Sequence, residues 1–291
     1  MKIACFSVAS GGRQLGIVEH HGLIALSAHL PDAPTDMVAL IQAWDVLKPE
    51  LERLATSLPD HALADHALAD VTLHAPIARP GKIMAIGLNY ADHVAEASDI
   101  KMEIPTDQMW FCKQGTCIND PYAPIQLPRV SAALDYEAEL VFVIGKRIRH
   151  ASREEAKAAI FGFCAGNDVS VRDWQFKTSQ VMIGKSFDTH APYGPWIVTA
   201  DAIDPHNLDI RCLVNGEQRQ HSNTRHFIFD CYDQIVHLSQ AMTLEPGDIV
   251  FTGTPSGVAA VMKPPRWLVA GDVVRVEIAG IGAIENVVAP E

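Results

Sequence analysis

Two glutamates, Glu137 and Glu139, stand two positions apart in a run of residues that otherwise favour β-strand. On a strand, residues i and i+2 project from the same face, so the two carboxylates would lie side by side. Like charges held that close need a shared proton or a cation. A hard divalent metal with oxygen ligands meets this need. The alternative is an edge strand that shows both glutamates to solvent.

A third carboxylate, Asp168, follows an apolar, strand-like run and stands two residues after Gly166. An acidic side chain at the end of a second strand is well placed to join the same metal site. The alternative is a turn or helix N-cap, a frequent position for aspartate. If Asp168 opens a helical turn, Arg172 and Gln175 share its face, and a guanidinium and an amide there suit a substrate carboxylate. An ordinary surface pair is the other interpretation of these two residues.

His93 and Glu96 are three positions apart, on one face of a predicted helix that follows a loop. A carboxylate beside an imidazole fixes its tautomer and makes it a better base. On a mobile lid, such a pair would serve acid/base catalysis. The alternative is a solvated pair on an amphipathic helix.

Two further positions offer groups that stabilise anions. Lys185 follows Gly184 among apolar residues, where its ammonium can act as a point charge for an oxyanion. Thr254 lies in a turn that contains Gly253, where a hydroxyl and an amide are available to an anion. Neither feature is specific by itself.

The elements that must position these residues divide the chain near residue 75. Before it, short strands are predicted over residues 3–8 and 13–27, and helical spacing of apolar residues runs from 36 to 58. After it, short apolar runs alternate with turn signals, interrupted by two helical stretches. This pattern predicts a small α+β domain over residues 1–75 and a β-rich, mostly antiparallel α+β domain over residues 76–291.

The composition excludes several classes of partner. The 291 residues include 23 Lys and Arg against 35 Asp and Glu, a net charge of −12, which argues against nucleic acid and against an anionic membrane surface. The six cysteines form no C-x-x-C pair, which predicts free thiols and a cytoplasmic protein. No apolar run reaches the roughly 18 residues of a membrane span, and no signal peptide is predicted.

Five ordered motifs carry a resemblance to the fumarylacetoacetate hydrolase family over roughly residues 75–291. They are GLNYADHVAE at 87–96, DYEAELVFVIG at 135–145, GFCAGNDVSVRDWQ at 162–175, GKSFDTHAPYGPW at 184–196 and LEPGDIVFTGTPSGV at 244–258. The resemblance implies a mixed β-sandwich roll with largely antiparallel strands and, for many members, a homodimer. Residues 1–75 resemble the small N-terminal domain of longer members.

The resemblance also implies site roles. It assigns Mg²⁺ or Mn²⁺ to the carboxylates of Glu137, Glu139 and Asp168. It assigns acid/base catalysis to the lid residues His93 and Glu96. It assigns contacts with the carboxylate and enolate oxygens of a small 2-oxo acid substrate to Arg172, Gln175, Lys185 and Thr254, and Lys185 also counts as catalytic. The segments 110–117 and 178–183 depart from the family pattern, so the identity of the substrate stays open.

The activity implied is a metal-dependent hydrolase that cleaves a C–C bond of a 2,4-dioxo acid (an acylpyruvate) to pyruvate and a second acid. His93 would activate the attacking water. The alternative is an isomerase, decarboxylase or lyase that acts on a 2-oxo acid or diacid through an enolate, since the same site serves those reactions in relatives. A more distant alternative is a metal-binding protein without catalytic activity.

Overall fold

The structure is a computed structural model that describes residues 1–9, 11–19, 22–57, 64–91 and 105–291. His93 and Glu96 lie outside the described residues. The predicted lid dyad therefore stays a prediction throughout.

Strands dominate the described chain. In chain order they are β1 (Lys2–Ser7), β2 (Gln14–Glu19), β3 (Gly22–Ala25), β4 (His66–Ala67), β5 (Thr72–His74), β6 (Ile83–Gly87), β7 (Met109–Cys112), β8 (Ile118–Asn119), β9 (Ile125–Leu127), β10 (Leu134–Asp135), β11 (Ala138–Ile144), β12 (Ile160–Asn167), β13 (Ser170–Val171), β14 (Ala191–Thr199), β15 (Asp209–Val214), β16 (Glu217–Asn223), β17 (Ile249–Phe251), β18 (Val273–Ile278) and β19 (Gly282–Pro290). The α-helices are α1 (Leu26–His29), α2 (Met37–Gln42), α3 (Trp44–Ser57), α4 (Arg153–Ala159), α5 (Arg172–Gln175) and α6 (Cys231–Ala241).

A large sheet runs through the molecule in the order β4-β3-β2-β1-β14-β12-β11-β17-β6-β7, with β5 beside β1 and β8 beside β14. A second sheet has the order β16-β15-β18-β19-β9, and β10 pairs with β13. Within the described chain, β6 with β17, β8 with β14 and β9 with β19 are the parallel pairs, and the other strand pairs are antiparallel. The predicted strand-rich, largely antiparallel α+β fold is confirmed.

Strand β11 is buried on both faces, which explains why its sequence is a nearly continuous apolar run. Phe142 belongs to a core between the two sheets, together with Ile210 and Val276 of the second sheet. The neighbouring Val141 faces the opposite core, which helices α2 and α3 close with residues such as Leu51. The strand that carries Glu139 is thus enclosed by packed residues on both faces.

The N-terminal strands belong to the same sheet as the rest of the chain. Ile3 on β1 pairs with Ile197 on β14 in antiparallel register, so β1 to β4 extend the large sheet at one side. The division into domains at residue 75 therefore stays a prediction, with a shared sheet crossing it.

The sequence also predicts free cysteine thiols and no membrane-spanning segment. All six cysteines are free, and five of them are buried. No helix within the described ranges has the length and apolar character needed to cross a membrane.

Candidate active site

Pairing of β11 with β12 brings the three predicted ligands together. Glu139 lies opposite Gly166 in this antiparallel pair. Two residues further along this pair, the main-chain N–H of Asp168 donates to the carbonyl oxygen of Glu137 at 2.9 Å, and the N–H of Glu137 donates to Oδ1 of Asn167 at 2.9 Å. The ladder thus continues just beyond the two strands and holds the acidic residues on adjacent segments.

The three carboxylates form one buried cluster. Each of Glu137, Glu139 and Asp168 offers an oxygen, and these oxygens all lie within 4.8 Å of one another. Glu139 and Asp168 are almost fully enclosed, with 1% and 0% of their surfaces exposed. Solvent therefore does little to screen their mutual repulsion, and the interpretation as an exposed edge strand does not apply.

Arg172 lies against this cluster. Its Nε donates to Oδ2 of Asp135 at 2.8 Å, and its Nη1 lies 2.7 Å from Oε1 of Glu137 and 2.9 Å from Oε1 of Gln175. Its Nη2 is buried and has no hydrogen-bond partner among the described residues. A buried donor without a partner is costly, so Nη2 is suited to an anionic ligand group.

The helical turn that carries Arg172 begins later than the sequence suggested. Asp168 does not open it, because β13 intervenes and pairs with β10, and helix α5 begins at Arg172 itself. Gln175 follows on this helix, is half-buried and reaches the cluster through Arg172.

Lys185 is the second cation at the cluster, and its side chain is 3% exposed. Its Nζ lies 2.5 Å from Oε2 of Glu137 and 3.0 Å from Oδ2 of Asp168. Burial lowers the pKa of this ammonium, but Asp168 and Glu137 outweigh burial and raise the pKa above its usual value. Gly184 permits the approach, since a Cβ there would lie 2.3 Å from the main-chain nitrogen of Gln175.

The two glutamates have opposite electrostatic environments. Burial raises the pKa of Glu137, but the charges of Lys185 and Arg172 outweigh it and hold that pKa at about 2. For Glu139, burial followed by repulsion from Asp168 and Glu137 raises the pKa well above its ordinary value. No lysine or arginine of the described chain forms an ion pair with Glu139, whose Oε2 accepts from the N–H of Gly253 at 2.7 Å.

Thr254 lies beside the cluster, but its hydroxyl is engaged. Its Oγ1 donates to the carbonyl of Ala138 at 2.9 Å and accepts from Nε2 of Gln220 at 2.9 Å. The main-chain N–H of Thr254 is therefore the donor on which its predicted contact with substrate depends. The role of Gln220, which also accepts from the N–H of Ala138 at 2.9 Å, was not anticipated from the sequence.

Two charged residues of the site were missed by sequence reasoning. Asp135 is fully buried, anchors Arg172 and accepts main-chain N–H groups of Ala259 and Ala260 at 2.8 and 3.0 Å. The sequence did contain a signal for Asp135, because it lies two positions before Glu137 and so extends the same alternation as Glu137 and Glu139. Lys113 is also buried, with its Nζ 2.5 Å from Oδ1 of Asp168.

A divalent cation fits this donor set. Among the described residues, the site holds four buried acids and three buried bases, so it has one acid in excess; they are Asp135, Glu137, Glu139 and Asp168 against Lys113, Arg172 and Lys185. The unpaired acid is Glu139, whose raised pKa expresses the missing positive charge. Three oxygen donors without thiolate or imidazole match Mg²⁺ or Mn²⁺.

Comparison with known proteins gives consistent relatives. The model for the fumarylacetoacetate (FAA) hydrolase C-terminal domain matches residues 82–289. The curated oxaloacetate tautomerase FAHD2A, mitochondrial, of Bos taurus is 41% identical over 281 residues, which cover 94% of this chain and 87% of the relative.

Two solved structures share the whole fold. Maleylpyruvate hydrolase from Sphingobium sp. SYK-6, in complex with manganese(II) ion and pyruvate, is 32% identical with a TM-score of 0.82, covering 100% of this chain and 99% of that one. The 5-carboxymethyl-2-hydroxymuconate delta-isomerase from Mycobacterium smegmatis is 32% identical with a TM-score of 0.76, covering 100% of this chain and 100% of that one. These relatives catalyse different reactions, so the match by itself does not select one.

Proposed function

Because the chain belongs to the fumarylacetoacetate hydrolase family, we propose that it moves a proton next to the 2-oxo group of a 2-oxo dicarboxylate, with keto–enol interconversion of oxaloacetate as the reaction. The similarity favours this choice, since the tautomerase relative is 41% identical and the hydrolase structure 32%. The observation that carries the proposal is the buried, unpartnered Nη2 of Arg172 beside the three carboxylates.

The charges of the site favour an anionic substrate in spite of the net charge of −12. With every acid counted as ionised, the described residues of the site have one acid in excess, so a bound divalent cation would change the formal charge of the site from −1 to +1. A carboxylate would then be attracted to Nη2 of Arg172, a charge-assisted hydrogen bond of the kind that contributes about 1.5–3 kcal/mol. Mg²⁺ or Mn²⁺ held by Glu137, Glu139 and Asp168 would supply Lewis acidity.

Lys185 has one donor to spare for the substrate. An ammonium carries three hydrogens, and those of Lys185 have two partners among the described residues, Glu137 and Asp168. The third can donate to the 2-oxo oxygen, where negative charge develops as the neighbouring carbon loses its proton. His93, oriented by Glu96, is the proposed base that takes this proton and returns it.

Hydrolysis of a 2,4-dioxo acid to pyruvate and a second acid is the second candidate. It is favoured by the likeness to maleylpyruvate hydrolase, whose structure contains manganese and pyruvate. In this reaction, His93 would take a proton from water instead of carbon, while Arg172 and Lys185 would keep the same roles.

Product analysis separates the candidates. Purified protein with Mg²⁺ or Mn²⁺ is incubated with oxaloacetate and, separately, with a panel of acylpyruvates. Faster decay of the enol absorbance of oxaloacetate, with the molecular formula unchanged, supports the tautomerase. Release of pyruvate and a second acid from an acylpyruvate, without faster enol decay of oxaloacetate, would contradict the tautomerase and support the hydrolase. Pyruvate and CO₂ from oxaloacetate would identify a decarboxylase.

We further propose that the chain acts as a homodimer in the cytoplasm. The resemblance to family members and the sheet surfaces of a β-rich domain support the dimer. Light scattering at working concentration should give twice the 31.7 kDa of one chain. A mass of one chain would contradict the dimer, and fractionation of cells tests the compartment.

A further inference from the structure

Lys113 is a fully buried lysine for which the proposed reaction has no direct use. It follows strand β7, its side chain is 0% exposed, and its main-chain N–H donates to the carbonyl of Ile83 at 2.9 Å. A lysine is seldom buried without a partner, because burial of an ammonium costs several kcal/mol by order of magnitude unless it is neutralised. The contacts of its Nζ therefore indicate what it does.

The ammonium of Lys113 contacts three acceptors on two segments. It lies 2.5 Å from Oδ1 of Asp168, donates to the main-chain carbonyl of Lys185, and lies 3.5 Å from the carbonyl of Val169. Three acceptors use all three hydrogens of the ammonium, so none remains for a substrate. In this respect Lys113 differs from Lys185, which keeps one.

Asp168 is held from both sides by these lysines. Lys113 contacts Oδ1 and Lys185 contacts Oδ2, so the carboxylate plane is fixed between two ammonium groups. Through the carbonyl of Lys185, Lys113 also fixes the short 3₁₀ turn Val181–Lys185 that carries the other lysine. The next residue repeats the link, since the N–H of Gln114 donates to Oγ of Ser186 at 3.2 Å.

Strand β7 supports Lys185 from a second direction. The ring of Phe111, two residues before Lys113, lies 5.1 Å from Nζ of Lys185. The ring of Phe111 thus positions the side chain of Lys185, and the ammonium of Lys113 positions its main chain.

We propose that Lys113 is a positioning residue that sets the orientation of Asp168 and of the Lys185 turn for metal and substrate. The inference rests on the proposed function, because it gives the two residues a metal and an enolate to serve. Groups that orient metal ligands typically change metal affinity about 10- to 100-fold when they are removed.

The test is the affinity for Mn²⁺, measured by calorimetry and by the loss of the free Mn²⁺ resonance signal, without substrate. Lys113→Met, which keeps the length but removes the donors and the charge, should bind Mn²⁺ roughly 10- to 100-fold more weakly. Lys113→Gln keeps an amide NH2 group with two donor hydrogens but loses the charge, so its Mn²⁺ affinity should lie between those of wild type and Lys113→Met. This variant replaces Lys113→Met in the test if the Met variant does not fold. A lysine that only supplied charge would give the opposite sign, because removal of a cation tightens cation binding.

Lys82→Met is the matched control, since Lys82 forms a 2.7 Å ion pair with the buried Asp248 and has no contact with the carboxylate cluster. Lys82→Met should keep the Mn²⁺ affinity of wild type. In steady-state kinetics, Lys113→Met should also lower kcat by a larger factor than it changes KM. Unchanged or tighter Mn²⁺ binding in a folded Lys113 variant overturns the positioning role and leaves the proposed function standing. Absence of Mn²⁺ binding in wild type overturns both, and this is measured first.

Discussion

Arg172 and Glu137 face each other across the site, with Nη1 of the arginine 2.7 Å from Oε1 of the glutamate. The same guanidinium is anchored by Asp135 at its Nε, so its planar fork is fixed, and Nη2 has no hydrogen-bond partner among the described residues. One residue therefore joins the proposed metal ligand Glu137 to the proposed substrate-binding position.

Arg172→Lys should raise KM for a 2-oxo dicarboxylate about 10- to 100-fold, because lysine cannot hold Asp135 and Glu137 while it also offers a second donor. Steady-state kinetics with saturating Mn²⁺ measure this effect, and circular dichroism checks the fold. Arg266→Lys, on an exposed pair with Glu217, is the control and should leave KM unchanged. An unaltered KM in the Arg172 variant would remove Arg172 from the substrate site.

Glu139→Gln should separate stability from metal binding. In chelator-treated protein at neutral pH, the variant should be at least as stable as wild type, since it replaces the buried carboxylate whose pKa burial and like charges raise. Mn²⁺ at 100 times its Kd should add about 2.7 kcal/mol to the free energy of unfolding of wild type and so raise its Tm. The Tm of the variant should not rise. Thermal denaturation with and without Mn²⁺ measures both effects.

Glu285→Gln, at the exposed pair with Arg275, provides the comparison and should respond to Mn²⁺ as wild type does. An equal Mn²⁺ response in Glu139→Gln would show that Glu139 is not a ligand.

The part of the site that the sequence predicts is the part that depends on short-range patterns. The period of two along a strand predicts that Glu137 and Glu139 lie side by side, and the position of Asp168 at the end of a second strand predicts that it joins them. The contact of Lys113 with Asp168 depends on where β7 lies relative to the end of β12, and the contact of Gln220 with Ala138 depends on where β16 lies relative to β11; no local pattern specifies either. For the same reason, the sequence did not show that β1 would pair with β14 and continue the large sheet.

His190 should give the protein a pH-dependent stability. Burial lowers its pKa to about 4 from an ordinary 6.5, while its Nε2 lies 2.8 Å from the carbonyl of Gln126. Above pH 6.5 neither folded nor unfolded chain binds this proton. As the pH falls from 6.5 towards 4, only the unfolded chain takes it up, so the free energy of unfolding should drop by roughly 1.4 kcal/mol per pH unit.

His190→Gln keeps a donor for Gln126 but cannot take up the proton. Urea denaturation between pH 4 and 8 should therefore give a shallower acid slope for the variant and parallel curves above pH 7. Identical slopes below pH 6.5 would show that His190 does not carry this dependence.

The role of His93 is tested by a comparison of reactions. His93→Ala should slow keto–enol interconversion of oxaloacetate by about 10²- to 10⁴-fold, the usual effect of losing a general base. Mn²⁺ affinity should survive, because His93 is not a proposed ligand, and Glu96→Ala should act in the same direction, since an unoriented imidazole is a poorer base. His150→Ala, at an exposed histidine, is the control. Acylpyruvate cleavage is assayed in parallel, and its rate should fall in His93→Ala if the base activates water. The rate of decarboxylation should be unaffected, because that step removes no proton from carbon or water. Undiminished tautomerisation by His93→Ala would eliminate the role in proton transfer proposed for this residue.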